Sequence, residues 1–174
     1  MTLVEMLTTL TVAAVTVAVA IPSFRSVADA RKLDGAAMAM FSTLSLARSE
    51  AIKRNAPVVL CKSADGMVCA GSGGWEQGWI TFHDGNNNAL VDHGETVIQK
   101  AHAVGSGIRF SGNLQVARYI SFSALGAPRT VSGAFQAGTL TACQRRDGAA
   151  NAKQVILSAT GRARLSKAGI SECQ

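Results

Sequence analysis

The chain has 174 residues, enough for one domain by the usual prior of roughly 100–200 residues each. Apolar residues make up 48% and charged residues 16%, with a mean hydropathy of +0.20, which excludes intrinsic disorder. The net charge of +6 is unevenly placed: residues 1–99 hold 7 Lys and Arg against 9 Asp and Glu, whereas residues 100–174 hold 10 against 2. A greasy front and a basic back argue against an ordinary cytosolic enzyme and for a membrane at one end and a polyanion at the other.

From Met6 to Phe24 there are 19 residues without a charge, closed by Arg25, Arg31 and Lys32. At about 1.5 Å per residue this run matches the hydrocarbon thickness of a bilayer. A cleaved secretory signal is the competing reading, but no basic region precedes the run, and a helical pattern continues straight past it. The expectation is a single membrane-capable helix. Glu5 at its head is costly in lipid and needs a partner; the helix macrodipole favours it, and the α-ammonium of a neighbouring copy is a natural counter-ion.

Met1-Thr-Leu-Val-Glu-Met-Leu7, followed by an apolar helix with Pro22, resembles the mature N-terminus of type IV pilins, with Met1 where Phe is usual. The resemblance implies a precursor whose short leader is removed by a prepilin peptidase, so that this sequence corresponds to the processed form. It also implies that Met1, Glu5 and Pro22 serve assembly with other pilins, major and minor. The chain would wait in the inner membrane as a single-pass protein and then enter a periplasmic and surface pilus.

Beyond Pro22 the pattern turns amphipathic. Leu33, Ala37, Met40, Phe41, Leu44, Ala47 and Ala51 recur at helical spacing, and Asn55-Ala56-Pro57 is a stop signal. One helix of about 50 residues is expected, roughly 75–80 Å long, with Pro22 and Gly35 as its weak points. Leu46-Ala-Arg-Ser-Glu-Ala-Ile-Lys-Arg54 resembles a stretch of the GspH/FimT/FimU group of minor pilins and pseudopilins. The implied fold is α+β, type IV pilin-like, with the helix packed on an antiparallel β-sheet domain. Residues 1–28 form its assembly half, and residues 29–174 a globular part made of the helix to 55 and strands over 58–174.

Strands are expected at Val58–Lys62, Trp79–Phe82, Thr96–Lys100, Arg118–Ser123, Thr139–Cys143 and Val155–Ser158, between turn clusters rich in Gly, Asn, Ser and Asp. Trp75 and Trp79 read as packing residues. The four cysteines allow three pairings; Cys61–Cys69 with Cys143–Cys173 keeps each bond local, and disulfides suit an exported chain. Zinc is the weaker alternative, because no C-x-x-C spacing exists.

Asp84, Asn86, Asn88, Asp92 and Glu95 fall at alternating positions of a calcium-loop pattern, although Ala89 stands where the sharp turn needs glycine and no helices flank it. A polar hairpin tip is the simpler reading. His83, His93 and His102 are scattered, and no nucleophile with its base and acid is found. No catalytic, metal or cofactor site is assigned.

The strongest chemical feature is Gly161-Arg162-Ala163-Arg164, after the strand at Val155. On a returning strand the two arginines share a face about 6.6 Å apart, close to phosphate spacing along a nucleic-acid strand. Their forked donors suit phosphate oxygens. Lys167, Arg145, Arg146 and Lys153 are expected to join the patch, with Arg109, Arg118 and Arg129 as further basic positions. The motif resembles the Gly-Arg-x-Arg of FimT-type minor pilins, which implies non-specific DNA binding during natural transformation. A structural minor pilin for pilus priming and twitching, or a pseudopilin of type II secretion, remain as alternatives. In both, the arginines face solvent or a neighbouring subunit.

Overall fold

The computed structural model describes residues 2–146, 149–169 and 173; side chains are described throughout these except at positions 19–23, 25, 26, 145, 146, 149 and 150. Met1 therefore lies outside the described residues. Helix α1 runs from Leu3 to Arg54, unbroken through Pro22 and Gly35. The chain divides into two compact units, Met1–Lys32 and Leu33–Gln174.

In the first unit Thr2 caps the helix. Its N–H donates to a Glu5 carboxylate oxygen at 2.6 Å, and Glu5 N–H donates back to the Thr2 hydroxyl at 3.4 Å, the reciprocal pattern of a capping box. Thr8, Thr9, Thr11 and Thr16 each donate their hydroxyl to a carbonyl three or four residues earlier, so their polar groups are satisfied within the helix. Leu3, Leu10, Val12 and Val15 stand in the open. Among the described residues, no helix is long and apolar enough to cross a membrane; the uncharged run passes through positions 19–23, whose side chains are outside that set.

The second unit is built on the C-terminal part of α1. Leu33, Ala37, Met40, Leu44, Ala47 and Ala51 form one buried stripe, at the spacing that places them on one helix face. Three of these positions, Ala37, Ala47 and Ala51, are alanine, which lets the sheets approach the helix closely. The helix ends where Asn55 adopts a left-handed conformation, with φ of 52°, ahead of Pro57. Glu50, between Lys53 and Arg54 on the exposed face, is held below the ordinary carboxylate range, chiefly by its hydrogen bond from Arg54.

Two four-stranded antiparallel sheets pack around this stripe. The first has the order β3-β2-β1-β5, from Val97–Ala101, Trp79–His83, Val58–Lys62 and Tyr119–Phe122. The second has the order β4-β6-β7-β8, from Ile108–Gly112, Gly138–Arg146, Ala149–Leu157 and Ala163–Gly169. β4 is not among the expected strands, the returning strand considered for Arg162 and Arg164 is β8, and β6 and β7 extend beyond their expected bounds because they pair with each other over nine residues.

Trp79 joins the layers. Its indole N–H donates to the Thr43 hydroxyl of α1 at 3.2 Å, and its ring meets Phe110 of β4 edge-on at 6.1 Å. Trp75 is equally buried and donates to the Val116 carbonyl at 3.1 Å. A second, smaller cluster of Val59, Cys61, Ile80, Phe82 and Ala89 lies on the other face of the first sheet. Both expected disulfides are present: Cys61–Cys69 beside that cluster, and Cys143–Cys173, which ties the C-terminus to β6.

Candidate nucleic-acid interface

The hairpin between β7 and β8 is fixed by its own turn. Ser158 N–H donates to the Arg162 carbonyl at 3.0 Å, Gly161 N–H donates to the Ser158 carbonyl at 2.9 Å, and Arg162 N–H donates to the Ser158 hydroxyl at 3.1 Å. Gly161 sits at a φ of 82°, a region that L-residues avoid. A Cβ there would also overlap the Gly126 carbonyl oxygen and lie 3.3 Å from the side chain of Arg48. Glycine is thus required twice over, by backbone conformation and by close approach.

Arg48 holds the tip from the helix side, donating through Nη1 to the Gly161 carbonyl at 3.1 Å. Arg48 belongs to the Leu46–Arg54 segment and Gly161 to the Gly-Arg-x-Arg segment, so two motifs far apart in sequence meet in one contact. Gly126 completes the junction; a Cβ on it would lie 2.7 Å from Ile52 Cδ1 and 3.1 Å from Arg48 Nε. Neither Arg48 nor Gly126 was marked by its local sequence as part of a site. The available signal for Arg48 was its position four residues after the buried Leu44, which puts a long polar side chain at the margin of the packed stripe.

The strand register sorts the basic residues by face. In β7 and β8, Leu157 opposes Ala163, Val155 opposes Leu165 and Lys153 opposes Lys167. Directly opposed residues share a face, and Val155 and Leu157 are core residues. Lys153 and Lys167 therefore lie on the core-side face, where Lys153 forms an ion pair with Asp34 of α1 at 2.7 Å. That pair offsets the repulsion of two lysines set opposite one another.

Arg164 opposes Ile156, and the hydrogen-bonded pair Ser158–Arg162 continues the same ladder. Arg162 and Arg164 are both exposed on the outer face, and neither has an ion-pair partner among the described residues. The expected single patch is thus divided. Arg162 and Arg164 stay together, whereas Lys153 and Lys167 belong to the other side of the sheet. Arg145 and Arg146 pair through their backbones with Ala150 and Ala149; their side chains lie outside the described residues.

Other positions are occupied structurally. Arg129 stacks over Phe135 at 4.0 Å and donates to the Gly133 carbonyl. In the 84–95 loop, buried Asp84 accepts from the N–H groups of Asn88 and Ala89 at 3.1 and 2.8 Å. Glu95 accepts from Gly85 and Asp92, and Asp92 accepts from the amides of Asn86 and Asn88. Those amides hold Asp92 below the ordinary aspartate value. The oxygens that a calcium ion would need are spent on the loop itself, and no group of three His, Cys, Asp or Glu among the described residues could hold a metal.

The family model for the Type II transport protein GspH matches residues 36–161. No curated protein sequence matches the chain. Among solved structures, the type IV minor pilin FimU of Pseudomonas aeruginosa superposes with a TM-score of 0.59 at 18% identity, covering 83% of this chain and 98% of that one. The minor pseudopilin EpsH from the type 2 secretion system of Vibrio cholerae superposes with a TM-score of 0.53 at 12% identity, covering 78% and 97%.

Proposed function

This chain belongs to the family of the Type II transport protein GspH and is of the minor pilin and pseudopilin kind, and from that premise we propose that it binds DNA non-specifically through its β7–β8 hairpin while carried in a type IV pilus. The family and fold are those of structural pilins. Association with other pilins follows from the same premise, and we assign it to the apolar front of the chain, with Met1, Glu5 and Pro22 serving assembly. Anchoring in the inner membrane before assembly, and processing of a precursor by a prepilin peptidase, complete the proposed route.

The observation that supports DNA as a ligand is the pair Arg162 and Arg164. They are exposed on one face and adjoin a tip held rigid by Gly161 and Arg48. Guanidinium groups offer forked donors to phosphate oxygens. With few aromatics nearby, the binding is phosphate-dominated and sequence-independent.

The test is the affinity of the full chain in neutral detergent for labelled duplex DNA over a salt series. Removing two phosphate contacts with Arg162→Ala and Arg164→Ala should reduce the slope of log K against log salt by about 1.8 and weaken binding to every sequence tested. Absence of binding by the unaltered chain at low salt would overturn the DNA reading. A structural role in pilus priming and twitching, or in a type II secretion pseudopilus, would then stand.

A further inference from the structure

We infer that the nucleic-acid surface extends from the hairpin diagonally across the outer face of the second sheet to Arg109 on β4, and that Lys153 and Lys167 take no part in it. The inference rests on the DNA reading above and specifies its footprint. The register carries it. Arg109 opposes Cys143, Cys143 opposes Ala152, and Ala152 opposes Ala168, so Arg109 lies on the same face as Arg164 and four residues along from its level. At about 4.8 Å between strands and 3.3 Å per residue, the two arginines are on the order of 20 Å apart, about six base-pair steps of duplex DNA.

The surface between them suits a phosphodiester backbone. Ser111, Thr141, Gln154 and Ser166 form one row across all four strands, and in the next row Thr139 lies two strands from Arg164, with Ile156 between them. These are hydroxyl and amide groups able to donate to phosphate oxygens. The four strands contain no aspartate or glutamate. Along the strands themselves a polyanion thus meets donors and cations and no like charge; the row beside Arg109 is Cys143 and Ala152, both buried, with Cys143 bonded to Cys173. Arg109 itself is exposed, with no ion-pair partner among the described residues. The core-side face differs: there Lys153 already has Asp34 as its counter-charge.

The experiment compares single variants of the full chain in neutral detergent, binding labelled duplex DNA across a salt series. Arg109→Ala should lower the salt slope by about 0.9, as one lost phosphate contact. Gln154→Glu, which places a carboxylate mid-diagonal without changing side-chain size, should weaken binding several-fold at low salt. Lys167→Ala should leave affinity and slope unchanged. If Arg162 and Arg164 matter but Arg109→Ala and Gln154→Glu do not, the footprint is wrong while the DNA reading survives. If the unaltered chain binds no DNA, both fall. Poly-glutamate that binds this face as tightly as DNA of equal charge would also overturn the inference, by pointing to an acidic protein.

Discussion

Trp79→Ala is expected to destabilise the globular part by about 3–5 kcal/mol, the usual cost of emptying a buried tryptophan site. Three layers depend on this side chain. It projects from β2 in the first sheet, donates to Thr43 on α1, and forms a T-shaped ring pair with Phe110 of the second sheet. The void would open where helix and both sheets meet, so no single element can shift to close it. Trp79→Phe keeps most of the packing and loses chiefly the hydrogen bond, so its cost should be nearer 1 kcal/mol. Urea unfolding with the disulfides intact measures both. A loss of under about 1 kcal/mol for the alanine variant would mean that the layers are not joined at this residue.

Gly161→Ala should cost about 2–4 kcal/mol and should displace the hairpin tip. A left-handed conformation alone costs an L-residue roughly 1–2 kcal/mol. The added methyl would also overlap the Gly126 carbonyl, which is backbone and cannot rotate away, and overpacking of this sort costs about 1–3 kcal/mol. The displacement should break the Arg48 hydrogen bond to Gly161. Arg48→Ala should loosen the same junction with less strain, since nothing is forced into a filled space. Amide exchange at Gly161 and Arg162 reads both variants. Protection that is unchanged in both would show that the turn is held by Ser158 alone.

Much of this was legible in the chain. The stripe from Leu33 to Ala51 is plain at helical spacing, and Asn55-Ala56-Pro57 marks the stop to within a residue. The two disulfides follow from local pairing. Arg162 and Arg164 share strand parity, and so a face. The same parity rule places Lys167, three residues beyond Arg164, on the opposite side; grouping it with the pair gave charge proximity more weight than side-chain alternation.

The rest depends on distance along the chain. β4 alternates cleanly through Ile108, Arg109 and Phe110, yet nothing local shows that it joins β6. Residues 149–154 hold no β-branched or aromatic residue to mark a strand and become one by pairing with β6. The contact between Arg48 and Gly161 spans 113 positions. No local pattern encodes it, because it exists only once helix, turn and hairpin have all been placed. The side-chain oxygens of residues 84–95 show the same limit of spacing alone: at intervals that suit calcium, they are taken by the loop's own amides.

The central claim is that the arginine pair serves DNA rather than assembly. The most direct measurement replaces the chromosomal gene with one carrying Arg162→Ala and Arg164→Ala, and scores surface pili and uptake of added DNA in the same cells. The account predicts normal piliation with DNA uptake reduced at least tenfold. Loss of pili together with uptake, or uptake left unchanged, would contradict it.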